Sequence, residues 1–310
     1  MSRRTIAIAA ILSVLALGSP LVTANANPLA DNLFSSGVDK YEQGNYQGSI
    51  ADFTRAVEIN PQYASAYYNR GLAKDDLEDY EGAIADYTKA IVINPQYAYA
   101  YYNRGVAKSE LGDYEGAIAD YGKALEINPQ DADAYTNRAS AKDKLEDYQG
   151  AIADYDKAIE INPQNADAYI YRGFAKVDLG DTLGAITDFT KAIEINPQED
   201  AAYSIRAIVK FDLKDYHGAI SDYTKAIEIY PQDFLSYTNR GLTKAYLKDY
   251  QGAIDDFSKA IEIIPGIDSS YTERGIAKES LGDLKGACDD WRKAADLGDE
   301  RSAERVKKQC

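Results

Sequence analysis

Arg70, Lys74 and Asp86 fall within one stretch, Tyr67 to Ile91, that otherwise reads as two short amphipathic helices. Two cations and a carboxylate within reach of one another are the parts of an anion-binding or proton-transfer site. They are equally the parts of an internal ion pair. Repetition decides between the two. The arginine recurs as Arg104, Arg138, Arg172, Arg206, Arg240 and Arg274. The lysine recurs from Lys40 to Lys278 and the aspartate as Asp52, Asp120, Asp154, Asp188, Asp222, Asp256 and Asp290, each 34 residues from the next of its kind apart from the Asp86 already named. A ligand site is seldom copied unchanged along a chain, whereas a device that holds helices together is. Other chemistry is scarce: His217 is the only histidine and Cys288 and Cys310 are the only cysteines, so no metal set or cysteine–histidine pair is expected. No glycine-rich phosphate loop or nucleophile–base pair is present, so neither catalysis nor a cofactor is expected. His217, near the start of a second helix, reads as a surface residue.

The elements that position these charges follow from the same period. Pro61, Pro95, Pro129, Pro163, Pro197, Pro231 and Pro265 are each 34 residues apart, and asparagine precedes the first five. Asn-Pro disfavours continued helix, so these mark the ends of units. Numbering each unit from 1 to 34 gives 30–63, 64–97, 98–131, 132–165, 166–199, 200–233, 234–267 and 268–301. Position 8 is glycine or alanine, position 20 is alanine except for Ser49, and position 27 is always alanine. Position 24 is always aromatic: Phe53, Tyr87, Tyr121, Tyr155, Phe189, Tyr223, Phe257 and Trp291. Small residues let two helices approach closely, and the aromatic with aliphatics at 21, 28 and 30 fills the space between.

This pattern resembles the tetratricopeptide repeat, which carries a large aromatic, Leu, Gly, Tyr, Ala, Phe and Pro at matching offsets. The resemblance covers residues 30–301. Tyrosine replaces the usual tryptophan at position 4, Arg and Lys stand at 7 and 11 where Leu and Tyr are usual, and Asp299 stands where the eighth proline belongs. The resemblance implies an all-α protein, a right-handed α-solenoid of eight helix-turn-helix repeats, with helices over positions 2–14 and 17–30. No unit can bury its apolar face alone, whereas stacked units can. The residues after Gly298 read as a C-terminal capping helix, started by Asp299 and completed by 302–310, with a polar outer face from Ser302, Glu304, Lys307 and Lys308.

Two antiparallel helices that turn near position 15 bring 7 and 8 opposite 24 and 23. Arginine at 7 is therefore expected to meet aspartate at 23 of its own unit, with lysine at 11 sharing the carboxylate.

In the resembling family the first helices line a concave groove through positions 2, 5, 6, 9, 12 and 13. Here those positions, position 6 aside, carry eleven acids, among them Asp75 and Asp76, and a single base, Lys144. The aromatics there are Phe34, Tyr41, Tyr68, Tyr99, Tyr102, Phe174, Phe211 and Tyr246, which the repeat pattern leaves without a packing role. Position 6 is asparagine in four units, Asn69, Asn103, Asn137 and Asn239, and an amide can bond an extended peptide backbone. Family members that clamp acidic C-termini pair such an asparagine with Lys or Arg at 2 and 5. Those positions hold neither here. The expected partner is a protein or peptide segment of basic or aromatic-apolar character.

The first 26 residues read as an export signal: Ser2-Arg3-Arg4 is basic, Ile6 to Leu17 is apolar, and Ala24-Asn25-Ala26 is a small-x-small cleavage motif. Cleavage between Ala26 and Asn27 leaves a linker over 27–29 and a net charge of −18, since Arg3 and Arg4 are lost from a chain of −16. So acidic a surface repels nucleic acid, and no later segment reaches membrane-spanning length. Export to a periplasmic or other extracytoplasmic compartment permits a disulfide. A hairpin turning at Asp299 sets Cys288 opposite Cys310, so these two are expected to bond. The resulting reading is an exported, non-catalytic interaction scaffold that assists assembly of an envelope or membrane complex. A homotypic assembly module, stacking through its end repeats, is the alternative, with a carrier or enzyme subunit behind it.

Overall fold

The computed structural model describes residues 27–310 and, among them, holds seventeen helices and no strand. The expected signal segment, with Ala26, lies outside the described residues. Asn27 begins them and caps the first helix by accepting from the Leu29 amide at 3.1 Å. Two compact units divide at Pro163 and Gln164. The first contains α1 (Pro28–Glu42), α2 (Tyr46–Ile59), α3 (Ala64–Asp75), α4 (Tyr80–Ile93), α5 (Ala98–Glu110), α6 (Tyr114–Ile127), α7 (Ala132–Lys144) and α8 (Tyr148–Ile161). The second contains α9 (Ala166–Asp178), α10 (Thr182–Ile195), α11 (Asp200–Asp212), α12 (Tyr216–Ile229), α13 (Phe234–Tyr246), α14 (Tyr250–Ile263), α15 (Asp268–Ser280), α16 (Leu284–Asp296) and α17 (Glu300–Gln309). Within each unit successive helices pair as antiparallel hairpins, and the second helix of one hairpin packs on the first helix of the next.

The turn inside each hairpin is set by two neighbouring residues. Position 15 takes a left-handed backbone in every repeat, as at Gly112 with φ 79° and Glu146 with φ 62°. That residue ends the first helix at position 12 or 13, a little before the expected 14. Position 16 then caps the second helix: the Asp79 carboxylate accepts the Gly82 amide at 3.0 Å. A Cβ on Gly82 would lie 2.2 Å from the Asp79 carboxylate, which explains glycine three places after the cap. Between repeats the asparagine before proline closes the loop, with Asn60 accepting from the Gln62 amide at 3.1 Å.

The core forms where the ring at position 24 lies against the backbone at position 8. A Cβ on Gly71 would stand 2.6 Å from the Tyr87 ring, and one on Gly275 would stand 2.5 Å from the Trp291 indole. Rings at 24 are fully buried, as are the alanines at 20 and 27 around them.

The charged ladder forms within each hairpin, as its spacing predicts. Asp86 is 3% exposed. Arg70 grips it with two bonds, Nε to Oδ2 at 2.8 Å and Nη2 to Oδ1 at 2.5 Å, and Lys74 Nζ adds a third contact at 2.8 Å. The same triad joins Arg104, Lys108 and Asp120, and recurs down to Arg274, Lys278 and Asp290. In the first repeat Ser36 replaces the arginine and donates to Asp52 at 2.6 Å. Burial pushes the Asp52 carboxyl up, but the bonds from Lys40 and Ser36 outweigh it and hold the group below its usual range. Each arginine also lies over the tyrosine at position 4, 5.4 Å away for Arg70 over Tyr67. Many reach back to a hydroxyl at position 25 of the preceding repeat, as Arg104 does to Thr88 at 3.0 Å. The ladder therefore joins repeats as well as the two helices of one repeat.

The last helix closes the second unit. Asp299 caps α17 by accepting the Ser302 amide at 3.0 Å and also accepts from Thr272 at 2.8 Å. Arg305 lies 5.2 Å from the Trp291 ring, Val306 packs beside Cys288 and Trp291, and Cys288 is bonded to Cys310.

Two outcomes follow. Asp120→Ala strands two buried-facing cations and is expected to cost about 3–5 kcal/mol, against less than about 0.5 kcal/mol for Glu126→Ala on the exposed side of the same helix, read by urea unfolding. For the cap, bonds from Ser302 and its neighbours hold the Asp299 carboxyl down at about 2. A depressed folded value stabilises above the unfolded value and loses that contribution as pH falls. The α17 amides are therefore expected to lose exchange protection between about pH 4 and pH 2, and Asp299→Asn is expected to flatten that dependence.

Candidate binding face

The first helices of the first unit line a partly open cavity of about 360 Å³, with Tyr41, Asp76, Tyr102, Glu110, Asn137 and Lys144 among its walls. These come from α1, α3, α5 and α7, at the groove positions implied by the family resemblance. Asp75, Leu72, Asn103, Val106, Ser109 and Ser140 complete much of the wall, and Tyr114 and Tyr121 of α6 form its floor. The size is at the lower end of sites that hold small molecules or single side chains.

A ladder of hydrogen bonds between repeats shapes this wall. Asn103 donates to the Tyr68 hydroxyl at 2.8 Å, and Asn137 donates to the Tyr102 hydroxyl at 2.7 Å. The Tyr41 hydroxyl donates to Asp76, again one repeat and one residue further on. Burial, and then that bond, push the Tyr41 phenol far above its usual range.

These bonds correct several expectations. Tyr68 is 1% exposed, with its ring 4.8 Å from Tyr97 and 5.8 Å from Tyr87. It is a core residue, because position 5 faces the next repeat as much as the groove. Tyr102 is buried too, 5.8 Å from Tyr121, although its edge reaches the cavity wall. Asn69 is buried and donates to the Ser65 carbonyl of its own helix at 2.8 Å, so it offers no free amide to a peptide. Asn103 and Asn137 each have one N–H engaged by tyrosine. The amides are thus positioning groups first. Asp75 is buried and Asp76 half-buried in the wall, and Tyr99 packs partly on the core of its neighbours.

The second unit presents a different face. Phe174 and Ile208 are 39% and 46% exposed, and Tyr246 is 63% exposed. Phe211 lies 5.1 Å from Tyr246 and 5.3 Å from Tyr216, while the Phe174 ring lies 5.6 Å from Phe189. Asn239 of α13 is half-buried, with its backbone carbonyl accepting from the Thr243 hydroxyl at 2.7 Å. No group of metal-ligating side chains occurs among the described residues, and none of their helices is long and apolar enough to cross a membrane.

Comparison with known proteins is consistent with this geometry. Models described as tetratricopeptide repeat match residues 98–131, 132–165, 154–187, 172–234 and 235–266, and a TPR repeat model matches 37–74 and 76–112. No curated protein sequence matches the chain. Among solved structures it is similar to YrrB, titled a TPR protein with an unusual peptide-binding site, at 25% identity and a TM-score of 0.54 over 61% of this chain and 97% of that one. It is similar in fold to the C-terminal part of a TPR repeat-containing protein from Cytophaga hutchinsonii, at 20% identity and a TM-score of 0.66 over 76% and 98%. The MamA protein aligns at 24% identity and a TM-score of 0.52 over 58% and 96%.

Tyr68→Ala is expected to destabilise the first unit by about 3–5 kcal/mol, as removal of a large buried ring does. Tyr246→Ala is expected to change stability by less than about 1 kcal/mol. Thermal or urea unfolding of the two variants checks both.

Proposed function

The chain belongs to the tetratricopeptide repeat family, and from that premise we propose that it is an exported scaffold holding a basic or aromatic-apolar segment of another protein. Interaction between proteins is what this architecture serves, and no catalytic family matches. The observation that carries the finer reading is the division of charge. Arginines at 7 and lysines at 11 are turned inward onto the buried aspartates. The groove positions are left with acids, tyrosines and exposed apolar rings, and with Lys144 as their one base. A face of that composition attracts cations and apolar groups and repels acidic termini.

Export is supported by the composition of residues 1–26 and by the bond between Cys288 and Cys310, since disulfides persist outside the reducing cytoplasm. A role in assembling an envelope or membrane complex is a family-level analogy to that location. A groove ligand agrees with YrrB, a TPR protein with an unusual peptide-binding site.

A peptide library screened against the purified chain is expected to select peptides carrying Lys or Arg beside Trp, Phe or Tyr. Binding is expected to weaken between 50 and 500 mM salt, concentrations chosen about the range where screening of exposed charges becomes strong. Selection of acidic peptides would contradict the reading. For export, the chain expressed with its own first 26 residues is expected to be recovered from the extracytoplasmic fraction beginning at Asn27 and without titratable thiols.

A further inference from the structure

Apolar side chains gather on the first helices of the second unit. Phe174, Ile208 and Leu242 occupy position 9 of α9, α11 and α13, and Val177, Phe211 and Ala245 occupy position 12. Residues three apart share a helix face, so these form a block of two rows across three successive first helices. None of them has a hydrogen-bonding side chain. In the first unit the same two rows hold Tyr41, Asp75, Ser109, Ser140 and Asp143. Phe211, Leu242 and Ala245 rest partly on the core beneath them, whereas Phe174, Val177 and Ile208 are exposed. Tyr171, three residues before Phe174, and Tyr246, beside Phe211, are exposed too and extend the block at opposite corners. The exposed side chains amount to on the order of 400 Å², a size at which the largest apolar patch of a chain is often a functional one. The rim is charged. Asp178 and Asp212 follow the block at position 13, and Asp167 stands on its other side at position 2 of α9; all three are exposed. Lys214 and Lys248 lie further out on the turns, beside the capping carboxylates of Asp215 and Asp249. The arginines and lysines of α9, α11 and α13 are turned onto Asp188, Asp222 and Asp256. Carboxylates therefore outnumber cations along the edges of an apolar surface.

We infer that this block receives an amphipathic helix of a partner protein, with its apolar stripe on positions 9 and 12 and its Lys or Arg residues over Asp178 and Asp212. The lack of polar groups in the block is the reason for a helix. An extended segment lying there would lose water from backbone N–H and C=O groups that the side chains of the block cannot bond, and each such group left unpaired is costly. A helix bonds those groups within itself and brings only side chains to the contact. Asn239 at position 6 of α13 and the hydroxyls of Tyr171 and Tyr246 lie at the margin, where the polar flank of the helix meets them. The carboxylates of the rim favour a basic flank over an acidic one. This rests on the reading of the first-helix face as a surface for a basic or aromatic-apolar segment, and adds the conformation of that segment and the repeats that hold it.

The test uses the full chain and a blocked peptide of about 15 residues, long enough to form a helix on binding, with Leu and Phe at intervals of three and four and Lys on both flanks. One control has the same composition with its apolar residues spread round the helix. The other carries proline in place of a central alanine on the polar side, which breaks the helix and keeps the apolar residues and the charge. Affinity is read by calorimetry, and the conformation of the bound, isotope-labelled peptide by its Cα chemical shifts. The amphipathic peptide is expected to bind about tenfold or more tightly than either control and to show helical shifts when bound. Ile208→Glu, which alters an exposed side chain, is expected to reduce that affinity about tenfold or more. Asp178→Asn with Asp212→Asn is expected to reduce it about threefold to tenfold and to weaken its salt dependence. Equal binding of the proline peptide, or extended shifts in the bound peptide, overturns the helix. An unchanged affinity in Ile208→Glu overturns the site, and Val177→Ser decides in its place if that variant unfolds. Self-association of the unaltered chain in light scattering, abolished by Ile208→Glu, assigns the block to a second copy and overturns the proposal. Failure of all these peptides while the library still selects basic and aromatic sequences removes this inference alone, whereas selection of acidic peptides removes the broader reading.

Discussion

A carboxylate taken out of water has to be answered by cations, and the aspartate at position 23 sets that demand once in every repeat. Its partners come from the facing helix, where arginine supplies a two-bond fork and lysine a third contact. The fork has a fixed plane, so the pair sets the rotation of one helix against the other more strictly than apolar packing alone. The tyrosine at position 4 then covers the guanidinium, and the hydroxyl at position 25 ties it to the repeat before. Where position 25 is Gly122 there is no hydroxyl to offer Arg138, and the joint there relies on the Asn137–Tyr102 hydrogen bond and on apolar packing. The net stabilisation of such a triad is modest, because desolvation opposes it. Breaking one is costly, because the remaining charge stays buried.

The same close approach constrains the small residues. A ring at position 24 occupies the space that a side chain at position 8 would fill, and the cap at 16 occupies the space of one at 19. The small residue at 8, glycine in six repeats and Ala139 or Ala207 in the others, and the glycine at 19 thus answer to different neighbours, an aromatic ring in one case and a carboxylate in the other. After the eighth repeat, α17 covers Trp291 with Val306, Arg305 and the Cys288–Cys310 bond.

Function follows from what this internal chemistry leaves outside. Because the repeated cations point inward, the first helices show acids and tyrosines in the first unit and apolar rings in the second. The asparagine–tyrosine bonds between repeats link the two requirements. They stiffen the stack and take up one N–H of each amide, leaving its second N–H and its oxygen.

The period of 34, written in seven prolines and in the alanine at 27, was sufficient to define hairpins, stacking, the aspartate ladder and the cysteine partners. Those depend on spacing along one chain, and helix geometry converts spacing directly into facing pairs. Asp-x-x-Gly at 16–19 recurs in seven repeats, with Asn45 in place of the aspartate in the first, and the structure shows that it caps each second helix. Other features depended on neighbours 35 residues apart, across the joint between repeats. Tyr68 resembled a groove residue by position and proved to be core, and the amides of Asn103 and Asn137 proved to be engaged by tyrosine. Position within a repeat fixes the direction a side chain leaves its helix. Only the packing of the next repeat decides whether that direction ends in water, in a ring or in another hydrogen bond.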